Sequence, residues 1–285
     1  MLHKKISSTQ NPRIKNIIKL QKASERKRQH LFVIEGAKEI GLALQAQQEI
    51  TELYVCPKLF NEESRRLLTQ QNNIPLLEIT ENIYQKIAYR DSHDGIIAIA
   101  RMYEKNINNI YLSITPLVIV LESVEKPGNL GAIIRTADAA GADAVIICDP
   151  QTDIFNPNVI RSSIGCLFTT NVVTCTNQQA YEWLKKNNIT SYAAVVGVTT
   201  CYYEETYRES TAFIMGTESS GLSPFWIKNA DKKISIPMAG RIDSLNVSTA
   251  TAIMVFEAKR QREKNNPKLH NSKTLPDNNQ GLPGR

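Results

Sequence analysis

Three stretches in the second half of the chain combine glycines, hydroxyls, amides and charged side chains next to apolar runs. They cover residues 129–141, 213–222 and 234–253. Ligands of a parallel α/β sheet gather at the carboxyl ends of its strands, and the N-terminus of a helix that follows a strand favours an anion. Because the three stretches lie at such positions, we expect them to converge on one small-molecule pocket.

Each stretch also has a simpler interpretation when it is taken alone. Arg135 lies inside the first helix, where it points at a bound anion or forms an ordinary surface ion pair. Gly216 allows a ligand to approach the backbone closely, and Glu218 places an acid in the mouth of the pocket. Ser244 and Asn246 precede an apolar helix and are suited to cap it.

Several common enzyme classes lack their signatures in this chain. All four histidines lie outside residues 117–262, so a hydrolase or dehydrogenase site in that region would lack the usual proton carrier. No G-x-G-x-x-G motif follows a strand, which removes the usual dinucleotide fingerprint. Residues 216–221 have the two glycines of a phosphate-binding loop, but Leu222 occupies the lysine position. The five cysteines form no C-x-x-C pair, so we expect neither a metal site nor a disulfide framework.

Composition places the chain among folded, water-soluble proteins. It has 285 residues, 42% of them hydrophobic and 22% charged, which allows two ordinary domains. The apolar runs are the length of strands and too short to span a membrane. The basic N-terminus has no apolar segment behind it and does not resemble a signal peptide. We therefore expect a cytoplasmic protein with no membrane partner.

Positive charge is concentrated at the N-terminus of a chain whose net charge is +6. Asn11-Pro12 marks the start of a helix, after which basic residues recur at i, i+4, i+7 and i+11 on one predicted face. Such a stripe suits contacts with RNA phosphates, although a basic helix face is often only solvated. The residues predicted to bind RNA are Arg13, Lys15, Lys19, Lys22 and Arg26.

Alternating strands and helices predict an α/β protein with two domains. Near-continuous apolar strands in the second domain predict a parallel sheet that is covered on both faces. Strands are predicted at 30–35, 52–56 and 96–100, and at 117–122, 144–149, 170–175, 191–198, 212–216 and 233–237. Helices are predicted at 37–47, 62–70 and 83–88, and at 130–140, 156–164, 177–187 and 247–262.

The domain boundaries follow from composition. Residues 1–103 form the smaller, N-terminal domain, and residues 104–116 form a polar, Asn-rich linker that ends at a proline. Residues 117–264 form the larger domain. Residues 265–285 are rich in Asn, Pro and Gly, which predicts a disordered tail.

Taken together, the three stretches resemble the sequence motifs of one enzyme family. They read NLGAIIRTADAAGA (129–142), FIMGTESSGLSP (213–224) and ISIPMAGRIDSLNVSTATAI (234–253). In this order they resemble the three motifs of the SpoU family of RNA ribose 2′-O-methyltransferases, part of the SPOUT superfamily. Residues 8–40 are similar to the ribosomal-protein-like substrate-binding domain of many members. Residues 90–96 depart from the family's domain junction, which often carries Pro-Gln before the glycine.

The resemblance implies an S-adenosylmethionine-dependent enzyme that methylates a ribose 2′-hydroxyl in rRNA or else in tRNA. It implies a larger domain tied into a deep trefoil knot, with the cofactor bound in the knotted loops, no metal, and an active site completed across a homodimer. By motif position, the catalytic residues are Arg135, Asn129, Glu218, Ser244 and Asn246, and the cofactor-binding residues are Gly216, Thr217, Ile236, Met238, Leu245 and Val247.

Two further questions stay open at the level of sequence. The family's proposed base corresponds to Arg135, but a guanidinium group holds its proton with a pKa above about 12. Arg135 therefore acts either as the base or as a cation that binds RNA phosphate and stabilises a developing alkoxide. The function itself has two alternatives: a SPOUT enzyme that methylates a base nitrogen, and a catalytically silent RNA-binding protein of ribosome assembly.

Overall fold

The structure is a computed structural model that describes residues 4–69, 73–89 and 94–263. The described chain forms a five-stranded sheet followed by a six-stranded sheet. The tail predicted at 265–285 and the junction residues 90–93 lie outside the described residues. No helix in the described ranges is both long and apolar enough to cross a membrane.

The N-terminal sheet mixes parallel and antiparallel strands in the order β1-β4-β3-β5-β2. Its first three members in that order are parallel, whereas β5 runs antiparallel to both of its neighbours. The sequence predicted β2, β3 and β5 but missed β1 and β4, which are only three and four residues long. The strands are β1 (Lys4–Ile6), β2 (Leu31–Glu35), β3 (Ile50–Val55), β4 (Leu76–Ile79) and β5 (Ile96–Arg101), and the helices are α1 (Pro12–Lys19), α2 (Ala23–Gln29), α3 (Ala37–Gln45), α4 (Glu62–Thr69) and α5 (Glu81–Ile87).

The C-terminal sheet is parallel throughout, in the order β11-β9-β10-β6-β7-β8. This confirms the predicted parallel sheet, and each of the six strands predicted here is formed. The strands are β6 (Leu117–Glu122), β7 (Ala144–Cys148), β8 (Val172–Cys175), β9 (Thr190–Ala194), β10 (Thr211–Met215) and β11 (Lys232–Ile234). The helices are α6 (Pro127–Ala140), α7 (Pro157–Ser162), α8 (Cys166–Thr169), α9 (Asn177–Lys186), α10 (Pro224–Asn229) and α11 (Val247–Glu263).

The central strands of this sheet explain why it is parallel. All residues of β6, β7 and β10 are buried, and alternate side chains belong to two different apolar clusters, one on each face. A strand that is covered on both faces suits the helical crossovers of a parallel sheet. Strands β6 and β10 are neighbours in space but far apart in sequence, so loops from distant parts of the chain meet at their carboxyl ends.

The start of α6 is fixed by a close approach to α7. A Cβ atom on Gly131 would lie 1.9 Å from the Ser162 Oγ and 2.6 Å from the Val159 carbonyl oxygen. Only glycine permits this backbone contact. The contact holds the first turn of α6, which carries Asn129, against the body of the domain.

The two sheets share one apolar cluster. Phe32 of β2 packs against Phe155, which follows β7, with 4.6 Å between ring centroids. Residues 102–116 connect the sheets, and the carboxylate of Asp143 accepts hydrogen bonds from the backbone N–H groups of Ser113 and Leu117 at 2.7 and 2.8 Å. The connecting segment is therefore fastened to the larger domain at its C-terminal end.

The continuous basic helix predicted from Asn11 is not formed. Asn11 caps α1 as expected, accepting from the Arg13 N–H, but α1 ends at Lys19 and α2 begins only at Ala23. Between them the chain turns and buries Leu20 completely. Helical periodicity does not continue through a turn, so the prediction of one stripe from Lys15 to Arg26 is wrong.

Arg26 departs furthest from its predicted role. Its side chain is 1% exposed and forms an ion pair with Asp153 of the larger domain, Nε to Oδ2 at 2.7 Å. Its Nη1 donates to the carbonyl oxygens of Leu20 and Gln21 at 2.9 and 2.8 Å. Arg26 is therefore occupied within the chain and is not available to an RNA phosphate. The other four residues of the predicted set, Arg13, Lys15, Lys19 and Lys22, are exposed.

Candidate active site

Four polar side chains meet where β6 and β10 end. The carboxylate of Glu218 accepts hydrogen bonds from Asn129 Nδ2 at 2.6 Å and from Asn246 Nδ2, and it forms an ion pair with Lys126. Asn246 Nδ2 also lies 3.2 Å from Asn129 Oδ1. The structure thus brings together three of the five residues predicted to be catalytic, although they are separated by up to 117 positions in sequence.

The electrostatics of this cluster favour a charged Glu218. Its pKa lies below the usual value, chiefly because Lys126 donates a hydrogen bond to the carboxylate, with a further contribution from Asn129. Partial burial acts in the opposite direction. A carboxylate that is stabilised by several donors is a weak proton acceptor. Glu218 is therefore suited to orienting the two asparagines rather than to acting as a general base.

Local sequence explains how these side chains are presented. Pro127 begins α6, which places Lys126 at the N-cap position without a side-chain capping bond. Asn246 stands before α11, and its Oδ1 accepts hydrogen bonds from the Ser248 N–H at 2.9 Å and the Ser248 Oγ at 2.6 Å. The predicted capping role of Asn246 is confirmed, and the opposite end of the same amide joins the cluster.

Ser244 lies apart from the cluster, and its Oγ donates to Asp243 Oδ1 at 3.1 Å. Arg135 is also separate. It is exposed on α6, six residues beyond Asn129, which places it about 9 Å further along the axis and roughly 120° around the helix. Within the described residues, no hydrogen bond or ion pair of Arg135 is found.

The loop after β10 folds back on itself. Thr217 and Gly221 exchange backbone hydrogen bonds of 3.0 and 3.1 Å. A Cβ atom on Gly216 would lie 2.2 Å from the Gly221 carbonyl carbon. Gly216 is therefore required because the backbone of the loop returns against it. The sequence predicted this glycine for a different reason, the close approach of a ligand.

A cleft of about 480 Å³ lies beside this loop. Its walls come from the ends of β9 and β10, the irregular segment 235–246 and the start of α11. The volume is in the range of small-molecule sites, about 300–1,000 Å³. All six residues predicted to bind the cofactor line this cleft, namely Gly216, Thr217, Ile236, Met238, Leu245 and Val247, together with Glu218 and Ser244.

The cleft offers unused backbone groups. Across the described chain, no backbone–backbone hydrogen bond involves residues 236–245. Polar backbone groups that lack an internal partner need water or a ligand. The apolar side chains of Ile236, Met238 and Leu245 stand beside these groups and are only partly buried. The cleft therefore combines apolar walls with backbone donors and acceptors.

Sequence reasoning missed Lys126 and the residues 194–196 that close the cleft at the end of β9. The signal for Lys126 was present, because a basic residue directly before Pro127 stands at the predicted strand-to-helix loop. Residues 194–196 have no chemical signature. Only the position of β9 beside β10 brings them to the cleft. Within the described ranges, no group of His, Cys, Asp or Glu side chains could hold a metal ion.

Comparison with known proteins matches two family models to separate parts of the chain. The model of the SpoU rRNA Methylase family matches residues 116–256. The model of the MRM3-like substrate binding domain matches residues 11–98. The first match contains the cluster and the cleft, and the second contains the basic helix α1.

Full-length relatives and solved structures match across both domains. The 23S rRNA (guanosine(2553)-2′-O)-methyltransferase RlmP of Bacillus subtilis strain 168 is 30% identical over 89% of this chain and 98% of its own length. A crystal structure of an RNA 2′-O ribose methyltransferase is 38% identical, has a TM-score of 0.82 and covers 90% of this chain and 99% of that chain. An AdoMet-bound rRNA methyltransferase from Sinorhizobium meliloti is 29% identical with a TM-score of 0.82, over 90% of this chain and 97% of that chain. The chain therefore belongs to the SpoU rRNA methylase family.

Proposed function

We propose that this protein transfers the methyl group of S-adenosylmethionine to a ribose 2′-hydroxyl of ribosomal RNA. The observation that carries the proposal is the meeting of Asn129, Glu218 and Asn246 beside a cleft that holds every predicted cofactor-binding residue. The relative from Bacillus subtilis and the solved structures are named for this activity or for rRNA methylation. Their names also favour rRNA over tRNA.

The cleft fits the chemistry of this cofactor. Apolar walls at Ile236, Met238 and Leu245 suit an adenine ring, and the unpaired backbone groups of residues 236–245 suit its polar edge. The carboxylates of Glu218 and Asp243 border the same cleft and suit a ligand with cationic groups. When it is bound, S-adenosylmethionine supplies an electrophilic methyl group on a sulfonium sulfur.

The residues of the chain supply orientation. Glu218 keeps its charge and holds the amides of Asn129 and Asn246 in fixed directions at the mouth of the cleft. Holding two reactants in line contributes about 7–11 kcal/mol toward the barrier of a reaction between them. We assign Ser244, which lines the cleft but not the cluster, to substrate or cofactor contact rather than to the cluster itself.

We propose that Arg135 acts at the site of a second copy, in a homodimer. It is exposed on α6, an ideal helix places it on a different side from Asn129, and it forms no hydrogen bond or ion pair with the cluster in the described chain. A guanidinium group keeps its proton at neutral pH. We therefore favour a role in binding the RNA phosphate and stabilising alkoxide charge over a role as base.

We further propose an RNA-binding surface on the smaller domain and a knot in the larger domain. Arg13, Lys15, Lys19 and Lys22 are exposed near or on α1 and are proposed to contact RNA phosphates. We also propose that the chain after β11 forms the trefoil knot, because α11 returns from the edge strand to pack against α6 and β10. As an enzyme of ribosomal RNA, the protein is assigned to the cytoplasm.

The test uses the full chain, S-adenosylmethionine with a labelled methyl group, and separate rRNA and tRNA substrates. We expect label in rRNA at a nucleotide whose 3′ phosphodiester resists alkaline hydrolysis, since a 2′-O-methyl group removes the attacking hydroxyl. Label on an alkali-sensitive nucleotide would instead identify a base methyltransferase. Absence of S-adenosylmethionine binding in calorimetry would support the catalytically silent RNA-binding protein.

A further inference from the structure

Glu122, the last residue of β6, is a buried acid that the proposed chemistry does not use. Glu122 is only 3% exposed. Its Oε2 accepts a hydrogen bond from the Ser223 N–H at 2.7 Å. Its Oε1 accepts from the Ser223 Oγ at 2.6 Å and from Asn177 Nδ2 at 2.7 Å. These three donors are neutral.

Burying a carboxylate without a cation is costly, and it is tolerated only when several donors compensate for the lost water. An apolar residue of similar volume commonly serves stability as well or better. A buried acid with three directed hydrogen bonds is therefore better explained by the residues that it positions than by stability. The residue that Glu122 positions is Ser223.

Ser223 is the residue at which the loop after β10 ends and α10 begins. The same loop starts at Gly216, where backbone packing fixes it. Ser223 stands at the N-cap of α10 but makes no side-chain capping bond, because its hydroxyl is directed to Glu122 instead. The loop that carries Thr217 and Glu218 is thus held at one end by a glycine contact and at the other by Glu122.

A second connection leads from Glu122 to α10. Asn177, the first residue of α9, donates to Glu122, and its Oδ1 accepts a hydrogen bond from the Trp226 Nε1 at 2.6 Å. Trp226 lies on α10 and is completely buried. Glu122 therefore fixes α10 directly through Ser223 and indirectly through Asn177, so the loop before α10 has little freedom to shift.

We propose that Glu122 is a positioning residue, which sets the cofactor-binding loop in register with the ends of β6 and β10. The proposal rests on the function proposed above. A misplacement of about 1 Å in such a constellation is enough to cost roughly 10²-fold in rate. Because Glu122 touches neither the cleft nor the cluster, its effect reaches the ligand only through Ser223 and the loop.

The test is calorimetric binding of S-adenosylmethionine to the full-length Glu122→Gln variant. Glutamine keeps the size of the side chain but replaces one carboxylate oxygen by an NH₂ group, which is a donor. Because Ser223 and Asn177 also donate, at least one of the three hydrogen bonds is lost. We expect the Kd for S-adenosylmethionine to rise about tenfold, equivalent to about 1.4 kcal/mol, because the loop that lines the cleft is no longer held in its binding position. RNA affinity in a gel-shift assay should stay unchanged.

Two further variants separate positioning from general stability. Glu122→Asp keeps the charge and should bind S-adenosylmethionine more tightly than Glu122→Gln. Glu182→Gln removes an exposed acid of α9 and should leave the Kd at the wild-type value. If Glu122→Gln does not fold, Ser223→Ala removes one of the three donors and should raise the Kd less, about threefold (roughly 0.65 kcal/mol), because the backbone N–H of residue 223 still holds the loop to Glu122.

The outcomes are distinct. A wild-type protein that fails to bind S-adenosylmethionine contradicts the proposed function itself. If the wild-type protein binds and folded Glu122→Gln or Ser223→Ala binds equally well at a temperature below its Tm, the positioning role is wrong while the proposed function stands. A fall in Tm with an unchanged Kd would show that Glu122 serves the fold alone.

Discussion

Two ion pairs in this protein have similar chemistry and opposite surroundings. Arg26 and Asp153 join the two domains, with side chains that are 1% and 9% exposed. Lys126 and Glu218 join two loops at the mouth of the cleft, with side chains that are 68% and 25% exposed. The first cation has three acceptors within the protein, whereas the second extends largely into water.

The difference in exposure distinguishes a basic side chain that is held by its partner, Arg26, from one that can change its partner, Lys126. Removing one partner of a buried pair costs about 3–5 kcal/mol, because the other charge is left without water or a counterion. An exposed pair is worth about 0–1 kcal/mol, so a lysine in such a pair can move to another anion at little cost. Arg135 is a third case, since it is exposed and forms no hydrogen bond or ion pair within the described residues.

Arg135→Ala is expected to have the largest effect on the reaction. An exposed cation that forms no internal hydrogen bond or ion pair contributes little to the fold, so its contribution should appear only when RNA is bound. We expect turnover to fall about 10²–10³-fold, the range seen when one stabilising donor is removed from a transition state. The Kd for S-adenosylmethionine and the Tm should change little.

Single-turnover methylation of rRNA, with calorimetry on the same preparation, measures both quantities. Arg135→Lys is the matched control, because it keeps the charge but loses the planar two-pronged donor. Near-normal turnover in Arg135→Ala would contradict both roles considered for this residue. Recovery of activity on mixing Arg135→Ala with Asn129→Ala protein would support a site shared between two copies.

Arg26→Ala should act on stability instead of on catalysis. We expect the free energy of unfolding to fall by about 3 kcal/mol, the lower end of the range for a broken buried pair, because Asp153 can regain water. Denaturant unfolding measures the change. Lys27→Ala, which removes an exposed cation one residue away on α2, is the control and should alter stability by less than about 0.5 kcal/mol. Equal stabilities of the two variants would contradict the structural role of Arg26.

Lys126→Ala tests the exchangeable pair. Loss of its hydrogen bond and charge should raise the pKa of Glu218 toward the ordinary glutamate value. A lowered carboxyl pKa favours the folded, ionised form above the unfolded pKa, and this contribution disappears as pH falls through the folded pKa. Because ionised Glu218 is proposed to orient Asn129 and Asn246, the acidic limb of the methylation rate should also move to higher pH in the variant.

At neutral pH, Glu218 stays ionised in Lys126→Ala and the unfolding free energy should change by less than about 1 kcal/mol. Lys126→Arg retains a cation and should keep the wild-type pH profile. An acidic limb that does not move in Lys126→Ala would show that the Lys126 contact does not govern the protonation of Glu218.

The cluster at the strand ends and the buried Arg26 also differ in how far the sequence predicted them. The cluster of Asn129, Glu218 and Asn246 was found because each residue stands at a strand end or helix start, and the parallel sheet brings such positions to one edge. The burial of Arg26 and its ion pair with Asp153 were not predicted. Its spacing from Lys15 fits a helix, but the turn that buries Leu20 depends on packing against the core, which periodicity does not describe.

Lys126 and Glu122 were missed for a different reason. Both precede the stretch that was predicted to bind a ligand, which begins at Asn129, and their roles depend on partners about 90 to 100 residues away, Glu218 and Ser223. Side-chain pairing across that distance follows from the register of β10 beside β6. Sequence patterns predict that the strands exist, but they do not give their spatial order.

The smallest effects are expected on the exposed face of α1. Lys15 and Lys19 lie one turn apart on this helix and are exposed, so each is a candidate for a single phosphate contact. Replacing either by alanine should weaken RNA binding a few-fold and lower the slope of log K against log salt by about 0.7, as expected for one contact with single-stranded RNA. Lys86→Ala on α5 is the control. If Lys15→Ala and Lys19→Ala both keep the wild-type salt slope, this face is only solvated. The RNA-binding surface would then have to be sought among basic residues elsewhere in the smaller domain.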